Sequence, residues 1–180
     1  MTEPLIGEPY DSVLSTQSYG GRPRIEGVQL VDLALFSDEG GDFAEMARIN
    51  ADGKLAALPS FHPAQISYSY MEPGTIKAWH LHRRQEDLWF VPPHDRLLIG
   101  LLDTREDSPT YQQSMRFVLG AGRARLLLIP RGVAHGAANL TPVAASLIYL
   151  TTNVFEPSDP DEHRLPYDLL GVDFWTIQPG

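Results

Sequence analysis

The most informative stretch of this chain is GTIKAWHLHRRQE, residues 74–86. We expect a β-strand over residues 76–82, after the Pro73–Gly74 turn. Because alternate side chains of a strand project from the same face, His80 and His82 should emerge side by side. Glu86 follows four residues after His82. Two imidazoles facing one cavity predict either a metal site or an acid–base site.

A second segment supplies a third histidine. The stretch PRGVAHGAAN, residues 130–139, places His135 directly after a Pro-x-Gly turn. We expect this imidazole to line the same cavity as His80 and His82. Whether the three histidines bind a metal or move protons is the main question that the sequence poses.

Composition limits the classes of function. The chain has 180 residues with 43% hydrophobic content, which predicts one compact domain. Its formal charge of −9 disfavours binding to nucleic acid or to anionic membranes. It lacks cysteine, so disulfides and thiolate metal sites are excluded. With no signal-like start and no long apolar run, a cytoplasmic location is the simplest expectation.

The order of short apolar segments predicts an all-β fold. Residues 1–27 are rich in Gly, Pro and polar groups and are expected to form an N-terminal arm. Residues 28–180 are expected to form a single domain, with a helical turn or two near residues 160–170. Strong strand patterns separated by Gly, Pro or Asp recur about every dozen residues, which is typical of an antiparallel sandwich or barrel. Strands are predicted at residues 28–36, 64–71, 76–82, 88–91, 96–103, 115–119, 125–129 and 144–152.

Five segments of the chain resemble a known family when taken in order. They are residues 37–45, 74–80, 103–111, 129–136 and 153–175. On these segments the chain is similar to the cupins, which are small double-stranded β-helix (jelly-roll) barrels. It resembles more closely the dTDP-4-dehydrorhamnose 3,5-epimerase family, from about Val28 to Trp175.

The resemblance implies an activity and a set of site residues. By position His80 resembles the family's base, which removes a proton next to a sugar ketone, and Tyr149 resembles the acid that returns one to the opposite face. The implied substrate is a nucleotide-linked 4-keto-6-deoxy sugar in deoxysugar or polysaccharide biosynthesis, with no cofactor. A homodimer that exchanges N-terminal segments is also implied. The residues implied to contact substrate are Glu45, Gln65, Lys77, His82 and His135.

The chain departs from the family pattern at three places. Gly40 stands where an arginine is usual, and Leu88 or a neighbour stands where a lysine is expected. The C-terminal Ser-x-Lys-Asp segment, whose aspartate pairs with the catalytic histidine, is not recognisable. These departures predict a divergent member of the family.

Two other functions stay open. The general cupin metal pattern is also satisfied, with His80, His82, Glu86 and His135 as ligands for a divalent transition metal. A metal on His80 would occupy the lone pair that proton abstraction needs, so the two readings exclude each other. The other alternative is a non-catalytic sugar-binding cupin, because the partners of the catalytic histidine are not evident in the sequence.

Overall fold

The regular secondary structure consists almost entirely of antiparallel strands. The computed structural model describes residues 5–17, 20, 21 and 23–178. Within them, helical structure is limited to two 3-10 turns, at Asp11–Val13 and Val172–Trp175. The strands are β1 (Gln29–Asp32), β2 (Phe36–Asp38), β3 (Gly41–Phe43), β4 (Gln65–Met71), β5 (Ile76–Leu81), β6 (Asp87–Phe90), β7 (Arg96–Asp103), β8 (Ser114–Gly120), β9 (Arg125–Ile129), β10 (Val133–Ala138), β11 (Ala145–Thr151) and β12 (His163–Arg164).

Two five-stranded sheets face each other. The first sheet has the order β1-β9-β6-β11-β4, and the second has the order β12-β5-β10-β7-β8. All strand pairs are antiparallel, and β2 and β3 form a separate hairpin. From β4 to β12 the chain crosses between the sheets at every step except the β7–β8 hairpin, as in a jelly-roll barrel. The predicted all-β cupin architecture agrees with this arrangement.

Side chains from both sheets form the core. Leu127 and Ile129 of β9, with Trp89 of β6, meet Leu97 and Ile99 of β7 between the sheets. A second cluster covers the outside of the first sheet, and a third covers the outside of the second sheet. In the third cluster Trp175 packs against Trp79, with ring centroids 4.9 Å apart. The C-terminal segment is therefore held across the outer face of the second sheet.

Two predicted elements differ from the structure. The strand expected at residues 28–36 ends at Asp32, whose carboxylate accepts a hydrogen bond from Arg125 Nε at 2.5 Å, and a new strand begins at Phe36. The helical turn expected at residues 160–170 is wrong, since the two-residue strand β12 lies there. Prolines 160 and 166 disfavour a helix, and the backbone pairs with the edge of β5 instead. The proposed limits of the arm at residues 1–27 include residues 1–4, 18, 19 and 22, which lie outside the described residues.

Candidate active site

A cavity of about 630 Å³ opens between the two sheets. Strands β4, β6 and β11 of the first sheet and strands β5 and β10 of the second contribute its walls, and residues 153–164 form part of its rim. This volume suits a small-molecule substrate. The predicted site residues that line it are Gln65, Lys77, His80, His82, His135 and Tyr149.

The cross-strand register brings the histidines together. His80 of β5 pairs directly with His135 of β10, and their rings are stacked with centroids 5.9 Å apart. The ring of His82 lies 5.1 Å from that of His135. Tyr149 pairs with Trp89 of β6 and Ser67 of β4, so it reaches the cavity from the opposite sheet. His80 and Tyr149 therefore line one cavity from two different sheets.

Both ring nitrogens of His80 have a partner on or beside β12. Nδ1 lies 2.5 Å from Oε1 of Glu162, and Nε2 lies 2.7 Å from Nη1 of Arg164. A guanidinium has no lone pair, so Nη1 donates and Nε2 accepts. The proton of the neutral ring consequently sits on Nδ1 and is donated to Glu162. Nε2 thus carries the lone pair that a base requires, and this lone pair accepts the hydrogen bond from Arg164.

The carboxylate of Glu162 is kept ionised. Burial alone would raise the pKa of Glu162, but the hydrogen bond and charge of His80, together with His82 and Arg164, hold it below its usual value. An ionised carboxylate stabilises the imidazolium that forms when His80 takes up a proton. The expected aspartate partner of the histidine is thus replaced by a glutamate in this chain.

Asp161 anchors the segment that carries Glu162. Its carboxylate accepts hydrogen bonds from the backbone N–H groups of Arg83, Arg84 and Gln85, at 3.0, 2.7 and 2.9 Å. Burial would raise the pKa of Asp161, and these three bonds lower it below the usual value. Its carbonyl oxygen accepts a hydrogen bond from Nδ1 of His82. The turn after β5 and the C-terminal segment are therefore fixed to each other beside the cavity.

A second polar group lies deeper in the barrel. His82, Asp87 and His135 are buried, and one ligand-type atom of each lies within 4.8 Å of the others. Nε2 of His135 is 3.6 Å from Asp87, and Nε2 of His82 is 3.7 Å from it. Burial lowers the pKa of His135 to about 4, although the charge of Asp87 opposes this shift. Within the described part of the chain, this trio is the group whose ligand-type atoms lie close enough together to hold a cation.

The predicted four-residue metal set is not assembled. Glu86 lies at a separate depression with His62 and Arg131, whereas its neighbour Asp87 faces the histidines. The side chains of a strand alternate between its faces, so adjacent positions cannot both point into the barrel. The ring nitrogens of His80 are engaged by Glu162 and Arg164. Glu86 is therefore the wrong carboxylate for this cavity.

The other predicted contacts divide between the cavity and the surface. Lys77 donates from Nζ to Ser69 Oγ at 2.7 Å, and the side-chain oxygen of Gln65 accepts from the backbone of Phe155 at 2.9 Å. Both residues line the cavity. Glu45 does not line it; this residue is exposed and forms an ion pair of 2.7 Å with Arg48.

Comparison with known proteins agrees with this geometry. The model of the dTDP-4-dehydrorhamnose 3,5-epimerase family matches residues 22–178. This chain belongs to that family. The predicted family and the prediction of an epimerase-type enzyme are confirmed.

Individual relatives include named proteins of polysaccharide and glycan synthesis. It is 42% identical over 155 residues to the spore coat polysaccharide biosynthesis protein SpsL of Bacillus subtilis, covering 86% of this chain and 98% of that protein. It is 34% identical over 146 residues to the probable low-salt glycan biosynthesis epimerase Agl13 of Haloferax volcanii, covering 81% and 90%. A crystal structure of a dTDP sugar isomerase from Desulfovibrio desulfuricans G20 superposes with a TM-score of 0.69 at 29% identity, covering 86% and 91%. The cupin jelly-roll fold is confirmed.

Proposed function

We propose that this enzyme epimerises a nucleotide-linked 4-keto-6-deoxy sugar at a carbon next to the ketone. The observation that carries the proposal is the state of His80, which lines the cavity with Nδ1 held by Glu162 and with Nε2 as a hydrogen-bond acceptor that only the exposed side chain of Arg164 contacts among the described residues. A ketone acidifies the neighbouring C–H bonds, and a neutral imidazole is a suitable base for such a proton. The relatives in polysaccharide and glycan synthesis support this class of substrate.

The reaction needs two proton transfers on opposite faces of the sugar ring. His80 Nε2 takes the proton from carbon, the C–H electron pair becomes a C=C bond, and the ketone oxygen takes up the negative charge as an enolate. Tyr149 then donates its phenolic proton to the other face of the same carbon, and the ketone re-forms. His80 loses its proton to solvent, and the tyrosinate regains one. Glu162 stabilises the imidazolium between these steps.

The remaining cavity residues are assigned to substrate binding. We assign Lys77, Gln65, His82 and His135 to contacts with the sugar and its nucleotide. Glu45 is left out because it lies outside the cavity. The proposed reaction uses no cofactor. The substrate supplies the acidic C–H bond, His80 is the base and Tyr149 is the proton donor.

We further propose a cytoplasmic homodimer. Strand β4 lies at an edge of the first sheet and exposes Ile66, Tyr68 and Tyr70 at alternate positions, each more than half exposed. A row of exposed apolar side chains on an edge strand is typical of an interface. An exchanged arm from residues 1–27 fits this proposal. Among the described residues, no helix has the length and apolar character that crossing a bilayer requires.

Incorporation of solvent deuterium tests the function. Purified enzyme is incubated in D₂O with dTDP-4-keto-6-deoxyglucose, and label at the ring carbons is followed by NMR. We expect exchange with the natural chain, and a roughly 10³-fold slower rate for His80→Ala. Tyr149→Phe should lose inversion of the carbon while exchange persists, because His80 can return a solvent deuteron to the original face. His94→Ala, an exposed histidine outside the cavity, is the matched control. Absence of exchange with the natural chain, or full exchange by His80→Ala, contradicts the proposal.

A further inference from the structure

Arg164 lies directly beside the proposed base. Strand β12 pairs antiparallel with β5, and Arg164 stands opposite His80 in the register. Directly opposed residues of an antiparallel pair project from the same face. Nη1 of Arg164 is therefore brought to 2.7 Å from Nε2 of His80, and its Nη2 lies 3.5 Å from Glu162. The guanidinium sits at the nitrogen that must meet the reacting carbon.

The other cationic side chains of the cavity are engaged away from His80. Lys77 Nζ donates to Ser69 Oγ at 2.7 Å and to the carbonyl of Tyr70 at 3.3 Å. Arg84 forms an ion pair of 2.7 Å with Asp159. Among the lysine and arginine side chains described along the cavity, Arg164 alone contacts the ring of His80. It is also more than half exposed, so it is free to move when substrate enters.

We propose that Arg164 binds the ketone oxygen of the sugar and carries the negative charge of the enolate. This inference rests on the proposed epimerase function. The ketone oxygen is attached to the carbon next to the reacting one, so a substrate with its C–H bond at Nε2 brings this oxygen beside the guanidinium. A permanently charged group with several N–H donors can then turn from His80 to the oxygen. Before substrate binds, Nε2 of His80 accepts a hydrogen bond from this guanidinium.

Arg164 acts at one defined point of the reaction. As His80 removes the proton, electron density moves from the C–H bond through the new C=C bond to the ketone oxygen. The guanidinium donates hydrogen bonds to that oxygen and transfers no proton itself. When Tyr149 protonates carbon, the negative charge leaves the oxygen and the bond to Arg164 weakens. The interaction is thus strongest in the transition state, which is the condition for lowering its energy.

Substitution of Arg164 tests this role. Loss of one oxyanion donor is expected to lower kcat for deuterium exchange by about 10²–10³-fold in Arg164→Gln. Arg164→Lys keeps the charge and is expected to retain more activity. Arg164→Ala should regain activity on addition of millimolar guanidinium chloride, because the free ion can occupy the vacated space. Arg96→Gln removes the same charge from the exposed start of β7 and serves as the control.

The affinity for dTDP alone separates catalysis from phosphate binding. This nucleotide lacks the sugar ketone, so its Kd should be the same for the natural chain and for Arg164→Gln. The proposal is overturned if Arg164→Gln keeps its kcat, whether or not dTDP binds more weakly. It is also overturned if the loss of kcat is not relieved by guanidinium in the folded Arg164→Ala variant. If the proposed epimerase function were wrong, the natural chain itself would not exchange deuterium. This result differs from the two that overturn the role of Arg164.

Discussion

Glu162 shows how one carboxylate can define the state of the side chain that we propose as the base. Its contact with Nδ1 fixes the ring orientation of His80 and the position of the ring proton. A glutamate reaches further from the backbone than an aspartate, so the carboxylate can come from the residue that precedes β12 at the edge of the sheet. The negative charge beside the histidine is therefore present, although Glu162 lies elsewhere in the sequence than the expected aspartate.

Removal of this charge should lower the rate without unfolding the protein. For Glu162→Gln we expect kcat to fall by about 10²–10³-fold, because a neutral amide does not stabilise the imidazolium. KM should change little, because Glu162 contacts the proposed base and not the substrate in this mechanism, and Tm should stay close to that of the natural chain. Glu106→Gln, an exposed glutamate in the loop after β7, should leave kcat, KM and Tm unchanged. An unchanged kcat in folded Glu162→Gln would contradict the assigned role.

The sequence indicated most of the cavity residues and missed two carboxylates. His80, His82 and His135 were predictable because their spacing and strand pattern are local properties. Glu162 was missed because the acidic run at residues 156–162 is typical of a solvated loop, and because a fixed Ser-x-Lys-Asp spacing was expected. The signal available in the sequence was the spacing of Glu162 and Arg164, which puts both side chains on one face of an extended segment. Asp87 had a similar signal, since it shares a strand face with Trp89.

At the level of elements, strands rich in β-branched and large apolar residues were predictable. The predicted limits of β4, β7 and β9 agree with the structure within one residue. Strand β10, with the sequence VAHGAA, has small residues of weak β propensity and is formed by pairing with β5 and β7. Strand β12 has two residues, so its pairing depends on tertiary contacts that no local pattern encodes.

The hairpin between β7 and β8 should make stability depend on pH. Asp103 is buried and accepts hydrogen bonds from Arg105, Ser108 and Thr110. Burial would raise the pKa of Asp103, but these bonds hold it well below its usual range. A lowered pKa in the folded state gives stability that is present above the unfolded pKa of about 3.9 and is lost as pH falls below it.

Thermal unfolding checks this dependence. Removing a buried, paired charge costs about 3–5 kcal/mol, so Asp103→Asn should have a lower Tm than the natural chain at pH 7. The difference in Tm should shrink as the pH is lowered from 7 toward 3, because only the natural chain loses the stability that the ionised Asp103 carboxylate contributes. Asp52→Asn, at an exposed position, should show a constant small difference. A Tm difference for Asp103→Asn that does not vary with pH would contradict the expected linkage.

At the scale of the whole molecule, the active site depends on how the C-terminal segment is attached. Trp175 and Phe174 pack on the outer face of the second sheet opposite Gly100. A Cβ atom at Gly100 would lie 2.5 Å from the ring of Trp175 and 2.6 Å from that of Phe174. A glycine is therefore required where the aromatic rings approach the backbone of β7.

Gly100→Ala should impair catalysis more than it impairs the fold. Overpacking costs about 1–3 kcal/mol, and the rings can relieve it by moving away from the sheet. We expect a modest loss of Tm with a large loss of deuterium exchange, because Glu162 and Arg164 belong to the displaced segment. Trp fluorescence should report the movement of Trp175. In Gly7→Ala the added methyl meets no atom within 4 Å, so this control should behave as the natural chain. Normal exchange by Gly100→Ala would show that the aromatic packing and the site are independent.

The pairing of a two-residue strand with β5 has a consequence for how activity is acquired. The barrel core is built from residues of the two sheets, whereas the groups that set the state of His80 arrive with β12. If β12 separated from β5, catalysis would stop while the barrel stayed folded. Renewed pairing of the two strands would restore it. The protein would then become catalytically active in a last step of folding, separate from the formation of the barrel. Amide hydrogen exchange should accordingly be faster at residues 163–165 than in the central strands.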